Sequence, residues 1–150
     1  MQEEGHLGFR ASGLRAFCFL SDEYGFEVKD STPVVLYFKR GDMFVDLTYS
    51  PHDPSGNFTI GRISSDGVIT GAFSLDHVWY AVCGELTFDY EQFDFMTALG
   101  IRRFMESAAS LIRQFDELLS DSSRTWSDFQ KKADERDAAY SLLMERLHDD

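Results

Sequence analysis

The spacing of apolar residues divides the chain into a helical start, a strand-rich middle and a helical end. In the first part, apolar side chains recur at helical intervals after Ser12, a candidate N-cap, and Gly25 is the residue type that commonly ends a helix in the left-handed conformation. We therefore predict a helix over 9–24, followed by Phe26 as an apolar residue that packs beyond the stop. The predicted apolar stripe consists of Leu14, Phe17, Cys18 and Tyr24, with Ala16 and Leu20 alongside.

The middle of the chain consists of short segments rich in β-branched and aromatic residues. Within one of them, apolar residues at odd positions alternate with Phe44, Asp46 and Thr48, which predicts a strand with one buried face. Turn residues predict a loop over 51–57. Because the connections are short, we expect an antiparallel meander of four or five strands. The predicted strands are 26–29, 34–39, 43–49, 58–63 and 68–73.

The last part of the chain returns to helical spacing. Ser74 and Gly84 predict the start and the stop of a short helix, although a strand through 78–82 also fits the apolar residues there. The clearest amphipathic pattern in the chain runs over 101–119 and predicts a long helix that buries one face.

A final helix is predicted to begin near Thr125, after an interhelical loop over 120–123. Since strands and helices occur in separate runs, the pattern favours an α+β fold over a parallel nucleotide-binding sheet. We predict a single α+β domain over residues 1–150, which is an ordinary length for one domain. In it an antiparallel four- to five-stranded meander packs against an N-terminal helix and two to three C-terminal helices.

Negative charge is unevenly distributed along the chain. The net charge is −12, and residues 41–100 contribute −8 of it because nine acidic residues face a single basic one, Arg62. Phosphate contacts require Lys or Arg, so this balance disfavours nucleic-acid binding, and an anionic membrane surface would repel the chain. A basic protein partner would be attracted. The alternative is that the acidity only keeps the protein soluble.

The densest acidic stretch, 85–95, interleaves carboxylates with aromatic rings. Interfaces concentrate their energy in aromatic anchors that a charged rim surrounds. We therefore predict that this stretch binds a basic partner, with the carboxylates meeting Lys or Arg while Tyr90 or Phe93 fills a pocket. The predicted partner-binding residues are Glu85, Asp89, Tyr90, Glu91, Phe93 and Asp94.

The same stretch also has a structural interpretation. Its phenylalanines, Phe88, Phe93 and Phe95, would fill the core beneath a long connection, while the carboxylates are solvated and Asp94 or Thr97 caps the next helix. Both interpretations hold if alternate residues face opposite ways. The acids of the strands, such as Asp42 and Asp46, are predicted to lie on solvent faces.

Residues suited to catalysis or metal binding show no informative spacing. The four histidines form no metal-binding pair, and Cys18 and Cys83 have no partner spacing for zinc, so no metal or cofactor is expected. His77 follows Asp76 near Ser74, but neighbouring residues on a helix diverge and no nucleophile elbow is present. Cys83 lacks an activating base and is predicted to be a buried structural thiol. A small hydrolase with Asp/His chemistry is the enzymatic alternative.

The cellular location is predicted from absences. The N-terminus is polar and acidic, unlike a secretory signal, and no run of about 18 apolar residues is present. Two cysteines are too few for a disulfide scaffold. We therefore expect a cytoplasmic protein with reduced thiols.

The order of elements resembles that of small bacterial immunity proteins of polymorphic toxins. The likeness is carried by Phe17-Cys-Phe-Leu-Ser-Asp-Glu-Tyr-Gly-Phe-Glu-Val, the strands 34–38 and 43–49, and Phe73-Ser-Leu-Asp-His-Val. The resemblance implies a non-enzymatic inhibitor that binds one cognate toxin, often a basic nuclease, through an acidic patch. The rival binding class is an acidic secretion chaperone, which would be a dimer that wraps a segment of its effector. The sequence leaves the oligomeric state open.

Overall fold

One antiparallel sheet and five α-helices make up residues 6–120 and 123–148, the part of the chain that the computed structural model describes. Strands β1–β5 span Glu27–Ser31, Val35–Arg40, Met43–Ser50, Ser55–Ile63 and Ile69–Ser74. Helices α1–α5 span Phe9–Ala16, Cys18–Asp22, Leu75–Cys83, Ala98–Gln114 and Ser123–His148. Short 3-10 turns cover His6–Gly8, Tyr90–Gln92 and Asp116–Leu119.

The five strands pair in chain order, each antiparallel to the next, which confirms the predicted α+β meander. The third hairpin is longer than predicted because the ladder between β3 and β4 continues to the pair Ser50–Ser55. The predicted loop 51–57 therefore shortens to four residues. Gly56 allows this extension, since a Cβ atom there would lie 2.8 Å from the Phe95 ring and 3.0 Å from the Phe104 ring.

The core lies between the sheet and the helices, and its buried side chains form one contiguous cluster. In β3 the predicted alternation is confirmed, because Met43, Val45, Leu47 and Tyr49 are all buried. Phe44, on the opposite face, is buried as well, because its ring stacks on Tyr37 at 5.8 Å. Helix α1 approaches the sheet closely at Gly13, where a Cβ atom would lie 2.3 Å from a methyl group of Leu36.

The predicted N-terminal helix is present but broken. Helix α1 begins at Phe9, so Ser12 lies inside it and is not its N-cap. Phe17 leaves the helical conformation, with φ −103° and ψ 16°, and separates α1 from α2. This break rotates the buried stripe, which consists of Phe9, Gly13, Phe17, Phe19 and Leu20, while Leu14 and Cys18 are exposed.

The end of this helical region matches the prediction. Gly25 is left-handed, with φ +76°, and Phe26 is buried just beyond it. The amide of Phe26 donates to the carbonyl oxygen of Leu20, which closes the end of α2.

The C-terminal half contains three helices. Residues 75–83 are helical and end at left-handed Gly84, so the strand alternative through 78–82 was wrong. The amphipathic pattern 101–119 divides into α4 and a 3-10 turn, because Phe115 leaves the helical conformation. Thr97 caps α4, its Oγ1 accepting from the amide of Gly100 at 3.0 Å.

Two predictions fall partly outside the described residues. The interhelical loop 120–123 includes residues 121–122, which are not described, and α5 begins at Ser123 instead of Thr125. The polar N-terminus lies in residues 1–5, also outside the description. None of the helices in the described ranges combines the length and the apolar character that a bilayer span requires. The cytoplasmic location stays a prediction.

Candidate functional site

The connection between α3 and α4, residues 84–97, is the candidate site, and we call it the acidic segment. Its rings and carboxylates face opposite ways. Phe88 and Phe95 are only 7% and 8% exposed, and Tyr90 and Phe93 are half-buried. The exposed carboxylates are those of Glu85, Asp89, Glu91 and Asp94.

The rings of the acidic segment form a continuous aromatic layer over α4. Phe88 lies 5.7 Å from Trp79, 5.1 Å from Tyr90 and 6.0 Å from Phe93, measured between ring centroids. Phe104 of α4 receives three of these rings, at 5.1 to 6.1 Å. The predicted core-filling role of the phenylalanines is thereby confirmed. Tyr90 and Phe93 contribute most of their surface to this layer, whereas their role in partner binding stays a prediction.

Burial has a chemical consequence for Tyr90. Desolvation raises the pKa of its hydroxyl well above the ordinary tyrosine value, and the nearby negative charge of Asp76 adds to the increase, while Arg136 opposes it. Tyr90 therefore stays a neutral packing residue at physiological pH and adds no negative charge to the segment.

A buried arginine fixes the start of the acidic segment. Arg136 of α5 is only 8% exposed, and its Nε donates to the carbonyl oxygen of Leu86 at 2.7 Å. Its guanidinium also reaches Asp137 at 3.2 Å and Asp76 at 3.7 Å. Asp76 in turn accepts from the amide of Phe88 at 2.7 Å. These contacts connect α3, α5 and the segment.

Arg136 is not among the residues predicted from the sequence, although one signal points to it. Phe129, Ala133, Arg136 and Tyr140 follow helical spacing, and the arginine occupies a position on the buried stripe of α5. A charge at such a position requires a partner, because burying an unpaired charge is costly.

The end of the acidic segment is held by close backbone contacts. The hydroxyl of Tyr49 donates to the carbonyl oxygen of Phe95 at 2.7 Å. Gly100, in the first turn of α4, lies so near the segment that a Cβ atom would be 1.8 Å from the carbonyl oxygen of Asp94. The segment is therefore fixed at both ends, which gives its exposed carboxylates defined positions.

Three of those carboxylates have local hydrogen bonds, and none of the four has a counter-ion in the described part of the chain. Asp89 accepts from the amide of Glu91 at 3.1 Å, and Asp94 accepts from the amide of Met96 at 2.9 Å. Among the residues that the structure describes, no Lys, Arg or His lies within ion-pair distance of Glu85, Asp89, Glu91 or Asp94. Their negative charge is thus free to act on a partner.

A cleft of about 540 Å³ lies between α3, the acidic segment and α4. Aromatic side chains form its wall on the segment side, and polar or charged side chains of α4 form the other side. A neighbouring cleft of about 310 Å³ shares Gln92, Phe93 and Arg103 with it and adds Asp94. The residues that line the larger cleft include Trp79, Phe88, Phe93, Arg103, Glu106 and Ser110.

The structure also assembles a row of serine, histidine and aspartate. His77 Nδ1 lies 3.2 Å from Ser74 Oγ, and its Nε2 lies 2.8 Å from Asp137 Oδ1. The backbone amide of Ser74 donates to the same Nδ1 at 3.1 Å, so this nitrogen already serves as the acceptor that caps α3. In the neutral ring, the proton therefore lies on Nε2 and is donated to Asp137, and in the charged ring this same contact becomes an ion pair. The clefts described above are lined by neither Ser74 nor His77.

In this row, the pKa of the Asp137 carboxyl is shifted from its ordinary value. Burial is the largest single influence on its pKa and raises it, yet the hydrogen bonds from His77 and Arg136 and their charges lower the pKa on balance. The row therefore works as a structural bridge between α3 and α5. In the sequence the neighbour of His77 is Asp76, whereas its hydrogen-bond partner Asp137 lies 60 residues further along the chain and was not predicted.

Two further expectations need correction. Cys83 is exposed and not buried, because it is the last residue of α3, and its Sγ lies 3.6 Å from Glu85. Asp46 is partly buried on the sheet, its Oδ1 has no hydrogen-bond partner within the described ranges, and desolvation raises the pKa of its carboxyl. Asp42 is exposed as predicted and pairs with Arg62.

Within the described ranges, no group of three or more His, Cys, Asp or Glu side chains is placed to hold a metal ion. The chain matches no protein-family model, no curated protein and no solved structure. The resemblance to immunity proteins therefore stays a prediction, and the functional argument depends on the geometry of the site.

Proposed function

We propose that the chain is a non-enzymatic protein-binding module whose acidic segment docks a basic partner. Its most concrete form is an immunity-type inhibitor that blocks a cognate basic toxin by occlusion. The observation that carries the proposal is a set of exposed carboxylates beside an aromatic-lined cleft, for which the described residues supply no counter-ion. These carboxylates belong to Glu85, Asp89, Glu91 and Asp94.

Electrostatics supports a basic protein as the partner. A chain with net charge −12 attracts cationic surfaces over long range, which accelerates encounter at low salt. Uncompensated carboxylates at the point of contact then favour a partner with Lys or Arg and repel an acidic one. Because the acidic segment is held at both ends, little ordering entropy is lost when the partner binds.

Within this proposal the aromatic residues have different roles. Phe93 lines both clefts and supplies apolar contact area beside the carboxylates. Tyr90 packs against Phe88 and Phe104, at 5.1 and 6.1 Å, and acts by supporting the segment from beneath. Affinity thus comes from a charged rim around an apolar centre.

The test begins with the partner. A pull-down with the wild-type chain and mass spectrometry identifies a candidate, and calorimetry at low salt then measures its affinity for the variants. We expect the triple reversal D89K/E91K/D94K to weaken binding at least tenfold while the unfolding midpoint stays close to that of the wild type. Reversing three charges replaces attraction to a basic surface with repulsion.

The matched control is D22K/D30K/D53K, which makes the same change in net charge at exposed positions outside the acidic segment. If both triple variants lose affinity equally, only the net charge matters and the site assignment is wrong. Unchanged affinity of D89K/E91K/D94K at low salt would reject the proposal outright.

A secretion chaperone is the second candidate, and one observation favours it. The last two turns of α5 expose Leu142, Leu143 and Leu147, which could pack against a second copy or a client. Light scattering after gel filtration separates the candidates, since the chaperone is a stable dimer and a stable monomer counts against it.

A further inference from the structure

We infer that the cleft beside the acidic segment receives an arginine side chain of the basic partner, held between the aromatic wall and Glu106. This inference rests on the proposed function, since it names the group that the partner presents. It adds a specific pocket to what is otherwise a general electrostatic attraction.

The wall of the cleft suits a flat cation. Trp79 meets Phe88 edge-on at 5.7 Å, and Phe88 stacks on Phe93 at 6.0 Å with 14° between the ring planes. Phe88 is buried, whereas Trp79 and Phe93 are partly exposed and line the cleft. A guanidinium is planar, weakly hydrated and prefers aromatic faces, Trp above all.

The opposite side of the cleft supplies a carboxylate and neutral acceptors. Glu106 of α4 is exposed, and no cation among the described residues lies within ion-pair distance of it. Ser110 and Gln114, one and two turns further along α4, offer oxygen atoms to the remaining donors of a guanidinium. At about 540 Å³ the cleft is within the usual size of a ligand pocket.

Arg103 is the one residue of the cleft that opposes this occupant. It lies three residues before Glu106 on α4, is exposed, and contributes a positive charge to the rim. A cationic guest must therefore be attracted by Glu106 and repelled by Arg103. Removing the charge of Glu106 should lower the affinity for a cation, and removing the charge of Arg103 should raise it. A purely apolar occupant would not produce this pair of opposite effects.

The experiment is a nuclear magnetic resonance titration of the full chain with two probe peptides. One is acetyl-Gly-Ser-Arg-Ser-Gly-amide, and the other carries citrulline in place of arginine, which keeps the shape and removes the charge. The chain has two indole N–H signals, from Trp79 and Trp126, and Trp79→Phe assigns them. Trp126 is only 6% exposed and does not line the cleft, so its signal is an internal control.

We expect the arginine peptide to shift the Trp79 signal at millimolar concentrations, about tenfold more tightly than the citrulline peptide. The Trp126 signal should stay in place. Glu106→Gln should weaken binding of the arginine peptide about threefold, and Arg103→Gln should strengthen it by a similar factor.

Two results would overturn the inference: equal shifts with both peptides, or a Trp79 signal that the arginine peptide leaves in place. The proposed function has its own test, the partner affinity of D89K/E91K/D94K. If that variant loses affinity for the partner while the arginine peptide leaves the Trp79 signal unchanged, the cleft inference is wrong and the proposed role of the acidic segment is supported. If it binds like the wild type, the proposed function fails whatever the cleft does.

Discussion

Two groups of carboxylates in this molecule differ in whether a cation pairs with them. Asp76 and Asp137 share the buried guanidinium of Arg136, at 3.7 and 3.2 Å. Asp89 and Asp94, on the acidic segment, accept only backbone amides and have no counter-ion in the described part of the chain. The first group holds the segment in place, and the second group is the one that a basic partner contacts in the proposed function.

The comparison explains why a negatively charged segment can be rigid. Like charges that follow one another repel, so the order of the acidic segment must come from other contacts. Arg136 donates a hydrogen bond to the carbonyl oxygen of Leu86 at the start of the segment, and Tyr49 donates one to the carbonyl oxygen of Phe95 near its end. The paired carboxylates thus stabilise the geometry in which the unpaired ones are presented.

The largest expected effect comes from breaking the paired group. Arg136→Met keeps the length of the side chain and removes the cation, which leaves Asp76 without its counter-ion and the carbonyl oxygen of Leu86 without its donor. We expect a loss of about 2–4 kcal/mol in the free energy of unfolding, measured by urea denaturation. Lys131→Met, an exposed position on the same helix, is the control and should leave the urea midpoint unchanged. A loss below about 1 kcal/mol for Arg136→Met would contradict the anchoring role.

A smaller effect concerns the pH dependence of the same group. Because the folded state lowers the pKa of Asp137 on balance, its pairing with His77 and Arg136 stabilises the fold above the pKa of the unfolded chain, about 3.9. That stabilisation is lost as the pH falls through the still lower pKa of the folded state. The side chain of Asp137 is 56% exposed, so solvent screening keeps the contribution below about 1 kcal/mol.

The measurement is urea denaturation between about pH 5 and pH 2. We expect the wild type to lose more stability over this range than Asp137→Asn, whose side chain does not titrate. Asp134→Asn, an exposed neighbour on α5, should follow the wild type. Identical pH profiles for the wild type and Asp137→Asn would show that Asp137 is not coupled to its cations.

How far the sequence predicted this arrangement depends on the range of each interaction. The alternation in 43–49 and the short turns between strands are local signals, and they predicted the meander. Ser74 and Gly84 predicted the limits of α3 for the same reason. The inward position of the rings in the acidic segment was predictable, because large apolar side chains such as Phe88 and Phe95 are usually buried.

Features that depend on distant contacts escaped prediction. The bond from Arg136 to Leu86 joins residues 50 positions apart, and no spacing rule connects them. The helix breaks at Phe17, but apolar residues continue both before and after this position. The spacing of apolar residues therefore gives no sign of the break. The cleft forms where α3, the acidic segment and α4 meet. Trp79 and Glu106 both line it, but they lie on different helices, so no sequence pattern connects them.

The smallest expected effect on stability belongs to the unpaired group, and it is the sharpest test of the comparison. The triple variant D89N/E91Q/D94N keeps oxygen acceptors for the amides of Glu91 and Met96 and removes three charges. Since these charges have no counter-ion among the described residues, their loss should leave the thermal midpoint unchanged at high salt and raise it slightly at low salt, where repulsion is unscreened. Asp76→Asn, from the paired group, should lower the midpoint at both salt concentrations, because the charge of Asp76 is matched by Arg136. A triple variant that is destabilised as much as Asp76→Asn would mean that both groups support the fold, and the carboxylates of the acidic segment would then need no partner to explain them.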